Sequence, residues 1–242
     1  MPLLLRPIAA AALFAGCGVA LAAGPSCQAN SAATLTPVIE LYTSEGCSSC
    51  PPADRWLSTL KDSAAGGKAV VQAFHVGYWD YIGWVDRFAN PAYTARQKQL
   101  ASYNGLAGIY TPQVVRNSRD WRDFSRAATS TEPARARIAI QQGQSEAFEA
   151  NVSPLDPAAR WSAYWTVTEH GHNSKVKAGE NAGEFLQHDF VVRQYVQAGD
   201  YQGPARLTLR AVPGEPGHPR QVNLVVYDKA SGKPLQALSV GC

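Results

Sequence analysis

Charged residues are scarce in this sequence of 242 residues: they make up 17% of it, whereas about a quarter is usual for a soluble protein. This scarcity argues against a charged helical bundle. The 22 Lys and Arg nearly balance the 19 Asp and Glu, and no segment concentrates basic residues, so nucleic acid is not an expected partner. No apolar run after residue 23 is long enough to span a membrane, and no internal repeat is present.

Apolar and turn-forming residues are plentiful. Hydrophobic residues make up 45% of the chain, which excludes a disordered protein, and the chain also contains 20 Gly and 16 Pro. This composition is typical of a turn-rich protein with many strands. The length allows one large domain or two small ones, either of which buries a core without help from metals or disulfides.

The first 23 residues have the features of a secretory signal peptide. Arg6 precedes an apolar run from Pro7 to Ala23, which ends in small residues. We therefore expect residues 1–23 to be removed and the mature chain, without a transmembrane segment, to be periplasmic or secreted. Acylation of Cys17, which would anchor the chain to lipid, is an alternative that we favour less because Phe14 suits a lipoprotein signal poorly.

Four cysteines remain in the mature chain: Cys27, Cys47, Cys50 and Cys242. An even number in an exported protein suggests two disulfides. Three pairings are possible in principle. We favour Cys47–Cys50 together with a structural Cys27–Cys242 bridge that joins the two ends of the chain.

The chain divides into two halves by its hydrophobic pattern. Strand and helix signals alternate in residues 24–133, including a helix opened by Pro51, a helix opened by Asn90-Pro91 and a last helix capped near Asn117. Residues 134–242 instead show a period of two with Gly and Pro turns, which indicates antiparallel strands. We therefore expect an α/β domain followed by an all-β, sandwich-like domain.

The strongest chemical signal is Cys47-Ser48-Ser49-Cys50, which lies between a predicted strand and the helix that opens at Pro51. A helix N-terminus stabilises a thiolate, so Cys47 is a candidate nucleophile and Cys50 a candidate resolving thiol. A structural disulfide is the main alternative. A zinc site is disfavoured because no second Cys pair or His pair lies at the right spacing, and we expect no metal or other cofactor at this pair.

This arrangement resembles the thioredoxin-like superfamily over residues 36–130. The resemblance implies a thioredoxin-like α/β fold and a cis Thr111–Pro112 bond beside Cys47 that presents the substrate backbone. It also makes Glu40, in the strand before the motif, a possible proton acceptor for the resolving thiol. A carboxylate at the end of a strand, facing water or a salt bridge, is the simpler explanation of Glu40.

A closer resemblance is to an exported family of unknown function, domain family 1223. It is carried by the segments 40–54, 75–84, 95–97, 110–113 and 178–183, which include Glu40-Leu41-Tyr42-Thr43-Ser44-Glu45-Gly46-Cys47 and Ala178-Gly179-Glu180-Asn181-Ala182-Gly183. The chain has Gly77 where the family usually has Asp. The family implies export and a thioredoxin-like domain but no defined activity.

Three further features are weaker candidates. The aromatic residues after the second strand form either a substrate-binding surface or simple packing; they are Tyr78, Trp79, Tyr81, Trp84 and Phe88. His170, His172 and the pair His188-Asp189 suggest a metal such as copper, although solvated histidines explain them more simply. Residues 179–183 lack the context of a phosphate loop and are interpreted as a turn.

The sequence thus predicts an exported thiol–disulfide oxidoreductase that acts on protein or small thiol partners. The alternative is a non-enzymatic envelope protein in which the disulfide is structural and the chain binds a partner or a metal, with Cys47, Cys50, His75 or the His170/His172 pair as metal ligands. Reactivity of Cys47 in a Cys50→Ala variant separates these hypotheses.

Overall fold

The computed structural model describes residues 27–241. The predicted signal peptide, Cys17 and Cys242 lie outside the described residues. Cys27 lies near the carbonyl of Gly241, with 3.9 Å between Sγ and O. The Cys27–Cys242 bridge therefore stays a prediction.

Strands dominate the described chain, at 42% strand against 13% helix. The helices of residues 27–241 are α1 (Pro51–Ser58), α2 (Lys61–Ala65) and α3 (Pro91–Tyr103), and a 3₁₀ turn covers Asp80–Ile82. The strands are β1 (Gln28–Asn30), β2 (Val38–Thr43), β3 (Val70–His75), β4 (Gln113–Arg116), β5 (Arg119–Asp120), β6 (Ala136–Gln142), β7 (Ala147–Pro154), β8 (Arg160–Glu169), β9 (His172–Lys175), β10 (Phe185–His188), β11 (Val191–Gln202), β12 (Ala205–Arg210), β13 (Arg220–Asp228) and β14 (Pro234–Gly241).

One eight-stranded sheet runs through both halves of the chain, in the order β14-β13-β8-β11-β3-β2-β4-β5. The join is between β11 and β3, which are parallel, with Val191 opposite Ala73. The Ala73 N–H also donates to the carbonyl of Phe190 at 2.8 Å. The expected strand–helix half and strand half therefore share one sheet.

This architecture corrects the predicted fold class. An α/β thioredoxin-like domain followed by an all-β, antiparallel sandwich-like domain is wrong, because the molecule is mostly β and its large sheet mixes parallel and antiparallel pairs. Local patterns located most strands, but pairing between β3 and β11 depends on contacts between residues more than 100 positions apart, which periodicity does not reveal. The proposed division at residues 133/134 stays a prediction.

The main apolar core lies between the large sheet and a four-stranded antiparallel sheet, β1-β6-β7-β12. Trp161, Trp165 and Leu224 of the large sheet pack there against Ile138 and Phe148 of the smaller one. The remaining pair, β9 and β10, forms a separate two-stranded hairpin.

The helices begin where the sequence predicts. Pro51 opens α1 directly after Cys50, and the Asn90 side chain caps α3 by accepting the Ala92 N–H at 2.9 Å. The last predicted helix is wrong. Asn117 and Ser118 have φ values of 48° and 64° and form the turn between β4 and β5; positive φ at both central residues is typical of a two-residue hairpin turn, and Asn adopts it readily.

The predicted C-terminal hairpin is confirmed: the turn at Asp228–Gly232 joins β13 and β14. Among residues 27–241, none of the helices combines the length and the apolar character needed to cross a lipid bilayer.

Candidate redox site

Cys47 and Cys50 form a disulfide at the junction between β2 and α1, with 5.4 Å between their Cα atoms. Two backbone hydrogen bonds form the turns at this junction. The Cys47 N–H donates to the Ser44 carbonyl and the Cys50 N–H donates to the Cys47 carbonyl, both at 3.1 Å. Cys47 is 1% exposed and Cys50 is fully buried, whereas Ser48 and Ser49 are exposed. The disulfide is therefore present, but a solvent molecule does not reach its sulfurs in this conformation.

The Thr111–Pro112 bond is cis, as predicted. Trp79 links it to the disulfide loop. The Trp79 indole donates to Thr111 Oγ1 at 2.7 Å, and its Cβ lies so close to Gly46 that a Cβ at that position would approach it to 2.9 Å. A glycine directly before Cys47 thus allows Trp79 to pack against the loop.

The hairpin β9–β10 folds over the disulfide loop through its connection, residues 176–184, which we call the cover loop. The Asn181 amide donates to the carbonyl of Glu45 at 2.8 Å and to that of Cys47 at 3.1 Å. The Glu180 carboxylate accepts the Ser48 N–H at 3.0 Å. Sequence analysis interpreted this segment only as a turn, since nothing local indicates that it contacts a residue more than 130 positions away.

Two features adapt the cover loop to this position. Gly179 has a φ of +76°, and a Cβ there would lie 3.2 Å from Ile82, so glycine permits both the backbone conformation and the close packing. Glu180 is held as an anion, because its hydrogen bond from the Ser48 N–H lowers the pKa of the carboxyl below its usual range. A negative charge thus lies next to the amides that precede α1.

A buried group of acids and histidines lies beneath the disulfide loop, and we call it the acid–histidine cluster; its members are Glu45, Asp54, His75, Asp86 and His188. His75 Nδ1 lies 2.7 Å from Asp86 Oδ2, and the same oxygen accepts the Glu45 N–H at 2.9 Å. His188 Nε2 lies 3.2 Å from Glu45 Oε1. The rings of His75 and His188 meet edge to face, with centroids 4.9 Å apart.

Burial and charge shift the protonation of this cluster. Burial opposes a charged imidazole, but the Asp86 carboxylate overcomes it and raises the pKa of His75 above its ordinary value. Burial also opposes the Asp86 anion, and the charge of His75 instead lowers the pKa of that carboxyl. Asp54 behaves differently, because burial raises its pKa even though histidines lie nearby. Asp54 is therefore an acid that accepts a proton more readily than an exposed carboxylate.

Two ring nitrogens of the cluster, His75 Nε2 and His188 Nδ1, have no hydrogen-bond partner among the described residues, whereas His188 Nε2 and Glu45 Oε1 lie 3.2 Å apart as an ion pair. Each buried polar atom without a hydrogen bond costs about 1–3 kcal/mol, so such groups call for a functional or structural reason. Asp54 and His188 also line a cavity of about 240 Å³ beside Pro51 and Arg55.

Glu40 lies on the opposite face of β2 from Cys50. Its neighbours Ile39 and Leu41 pack with Leu57 of α1, and successive side chains of a strand point to opposite faces. Glu40 instead receives two bonds from Arg96 of α3, at 2.9 Å and 2.5 Å. Asp54, one helical turn after Cys50, lies instead on the α1 side of β2, where its Oδ2 accepts from Thr43 at 3.0 Å.

The aromatic residues after β3 serve mainly in packing. Phe88 is buried against the rings of His75 and His188, and Trp84 donates to Glu45 Oε2 at 2.7 Å. Tyr81 is the exception, with 81% of its surface exposed. Of the other predicted histidines, His170 lies 3.6 Å from Asp189 and His172 lies 2.9 Å from Glu169.

Comparisons with known proteins give a family but no activity. The model of the family described as "Protein of unknown function (DUF1223)" matches residues 38–227, and the chain belongs to this family. A crystal structure of a protein from Agrobacterium tumefaciens is similar in fold, with 23% identity and a TM-score of 0.64, covering 85% of this chain and 94% of that one. No curated protein matches the chain.

Proposed function

We propose that this member of the DUF1223 family is a thiol–disulfide oxidoreductase with Cys47 and Cys50 as its reactive pair. One observation carries the proposal: the disulfide lies at the start of α1 between Glu45 and Asp54, two members of a buried acid–histidine cluster that contains unpartnered ring nitrogens. A helix N-terminus lowers the pKa of a thiol, and a nearby buried acid with a raised pKa exchanges protons near neutral pH.

The reaction is a disulfide exchange in two steps. A substrate thiolate attacks Cys47 Sγ, the Cys47–Cys50 bond breaks, and Cys50 leaves as a thiolate that takes up a proton. A second substrate thiolate then attacks the substrate sulfur of the mixed disulfide and releases Cys47 as a thiolate. The substrate is oxidised to a disulfide and the pair is reduced by two electrons; the reverse sequence reduces a substrate disulfide.

Asp54 is the group that we assign to the proton of Cys50. It is buried, lies in the turn of α1 that follows Cys50, and has a raised pKa. Thr43 orients its carboxyl by donating to Oδ2 at 3.0 Å. Glu40 suits this role less well, because Arg96 holds it in an ion pair on the other face of β2.

Opening of the cover loop is part of the proposal. Cys47 is 1% exposed, so a substrate reaches it only after Asn181 and Glu180 release the carbonyls and the amide that they hold. The cis Thr111–Pro112 bond is then the position where we expect the backbone of a peptide substrate to lie. Export is also proposed, because a stable cysteine disulfide is typical of an oxidising compartment.

A structural disulfide in a non-enzymatic binding protein is the second candidate. The burial of both sulfurs favours it, since catalytic disulfides are normally accessible. The reduction potential separates the two candidates, measured by titration of the mature protein in glutathione buffers with alkylation and mass readout. A potential between about −270 and −120 mV supports the oxidoreductase, and a potential below about −300 mV identifies a structural disulfide.

A trapping experiment tests the assigned roles of the two cysteines. In Cys50→Ala the released Cys47 thiol should form a stable adduct with oxidised glutathione at pH 7, seen as a mass increase of one glutathione. Cys47→Ala is the matched control and should react far more slowly, because Cys50 is the resolving thiol in this proposal and does not attack the substrate. Equal and slow reaction of both variants would contradict the nucleophilic role of Cys47.

A further inference from the structure

We infer that His172, Glu215 and His218 form a binding site for a divalent transition-metal ion, independent of the disulfide. One ligand atom from each of the three residues lies within 4.8 Å of the others. Two imidazole nitrogens and one carboxylate oxygen are a ligand set that suits Zn²⁺ and leaves a fourth position open. The site lies at the root of the β9–β10 hairpin, where the loop between β12 and β13 packs on β9.

The hydrogen bonds around His172 leave one ring nitrogen available. Arg193 Nη1 lies 2.9 Å from Glu169 Oε2, 2.9 Å from Glu215 Oε2 and 3.1 Å from His172 Nε2, and we assign its two hydrogens to the two carboxylates, which are nearer and negatively charged. His172 Nε2, 2.9 Å from Glu169 Oε2, is then the donor of that pair. Nδ1 of the same ring carries the lone pair, and it is buried without a hydrogen-bond partner among the described residues.

His218 is oriented in the same way by a group behind it. Its Nδ1 lies 2.8 Å from the carbonyl of His170 and therefore donates to it, which leaves the lone pair on Nε2. That Nε2 lies 3.8 Å from Glu215 Oε1. A carboxylate behind one histidine and a carbonyl behind the other are the outer contacts that metal-binding histidines typically make.

The charge of the group also favours a cation. Glu169 and Glu215 contribute two negative charges, and Arg193 contributes one positive charge, so the cluster is negative overall when both histidines are neutral. The Glu169 carboxylate is fixed from both sides, because its Oε1 accepts the Glu215 N–H at 2.9 Å. Glu215 uses only Oε2 for Arg193, and Oε1 stays available for a metal.

Coordination requires one movement. The rings of His172 and His218 are stacked, with centroids 3.9 Å apart and an angle of 8°, so their lone pairs lie in two parallel planes and do not converge on one ion. His218 is half-buried and Glu215 is exposed. Both lie in the loop before β13, so binding of one ion by both histidines requires this loop to shift and tilt the His218 ring out of the stack while its Nδ1 keeps the His170 carbonyl.

The test is a Zn²⁺ titration of the untagged, oxidised mature protein against a chromophoric chelator, with Co²⁺ absorption as a readout of nitrogen coordination. The disulfide keeps the sulfurs of Cys47 and Cys50 from binding the metal. His218→Gln and Glu215→Gln should each weaken Zn²⁺ binding at least about tenfold, since loss of even an outer contact often costs that much. His170→Gln is the matched control and should bind like the wild type, because His170 contributes only its carbonyl.

Both test variants change residues with exposed surface, so thermal unfolding without metal should show that they fold. The inference is overturned if the oxidised protein does not retain one Zn²⁺ per chain in competition with the chelator. It is also overturned if His218→Gln and Glu215→Gln bind as tightly as His170→Gln, or if Zn²⁺ binds only after the disulfide is reduced.

Discussion

Two buried ionic clusters lie on the two faces of β2, and they differ in how completely their polar atoms are paired. On one face, Arg96 binds Glu40 through two nitrogens, and Tyr42 and Tyr164 donate to the same carboxylate at 2.6 Å and 3.0 Å. The Arg96 guanidinium also lies 4.0 Å from the centre of the Tyr164 ring. Every oxygen of Glu40 thus has a partner, as expected of a cluster that stabilises the fold.

The acid–histidine cluster on the other face is only partly paired. His75 bonds Asp86 and His188 Nε2 faces Glu45, but His75 Nε2 and His188 Nδ1 have no hydrogen-bond partner among the described residues. Such atoms lower stability in a low-dielectric interior. In the structural cluster every oxygen of Glu40 has a hydrogen-bond partner. In the cluster that we assign to proton transfer, some buried ring nitrogens have none.

The largest effect is expected from Arg96→Met, which leaves the Glu40 carboxylate buried without its charge partner. The free energy of unfolding should fall by about 3–5 kcal/mol, measured by urea denaturation. The double variant Glu40→Leu/Arg96→Met is the control and should recover most of this loss. The reduction potential of the folded protein should not change, and a shift of 30 mV or more would show that the two clusters are coupled.

A smaller effect is expected from Asn181→Ala, which removes two hydrogen bonds from the cover loop. At about 1 kcal/mol for each bond, the loop should open about 5–30 times more often. The rate at which dithiothreitol reduces the disulfide should rise by the same factor. Asn173→Ala, an exposed residue of the same hairpin, is the matched control. Equal rates in all three proteins would mean that the cover loop does not limit access.

A still smaller effect is expected from Asp54→Asn. Its free energy of unfolding should exceed that of the wild type only at the higher pH values, and the gain should be smaller than the loss expected for Asn181→Ala. Burial raises the pKa of Asp54, so the folded state binds more protons than the unfolded state once the pH exceeds about 3.9. Wild-type stability therefore falls as the pH rises through the folded pKa, and this fall is absent in the variant. Urea denaturation from pH 3 to 8 measures the difference, with exposed Asp62→Asn as the control.

The same Asp54→Asn variant should lose the proton acceptor of Cys50. Its rate of disulfide exchange should therefore depend less on pH than that of the wild type. A pH–rate profile identical to the wild-type profile would contradict the role of Asp54, whatever the change in stability.

The smallest effect is expected from Glu180→Gln, which keeps an acceptor for the Ser48 N–H but removes its charge. At low salt, the disulfide of the variant should be reduced slightly faster than that of the wild type. At high salt the charge of Glu180 is screened, and the two rates should become equal. Glu184→Gln, an exposed acid of the same loop, is the control. A difference that persists at 1 M salt would point to geometry instead of charge.

Part of the fold around the candidate site could be predicted from the sequence. The strand before Cys47 and the helix at Pro51 were predicted because local residue types determine them, whereas the cis Thr111–Pro112 bond was implied by the resemblance to the thioredoxin-like superfamily. Alternation along β2 also shows that Glu40 faces away from Ile39 and Leu41. It does not show which face carries α1, since that depends on how the chain crosses between β2 and β3.

The rest of the site depends on long-range packing. Asn181 reaches the Cys47 carbonyl only because β9 and β10 form a hairpin that folds over α1, and no turn signal specifies that direction. His188 belongs to the cluster for the same reason. A spacing of four residues after Cys50 could have indicated Asp54, because residues one turn apart share a helix face.

The position of β11 in the middle of the large sheet has a consequence for how the chain folds during synthesis. β3 is synthesised early, but β11, the strand that pairs with one of its edges at Val191, is synthesised much later. Until the ribosome has released that segment, β3 presents unpaired backbone groups that other chains can bind. Sheet completion therefore waits for most of the chain, and a topology with such distant pairings folds slowly. A holding chaperone would protect this edge during translation.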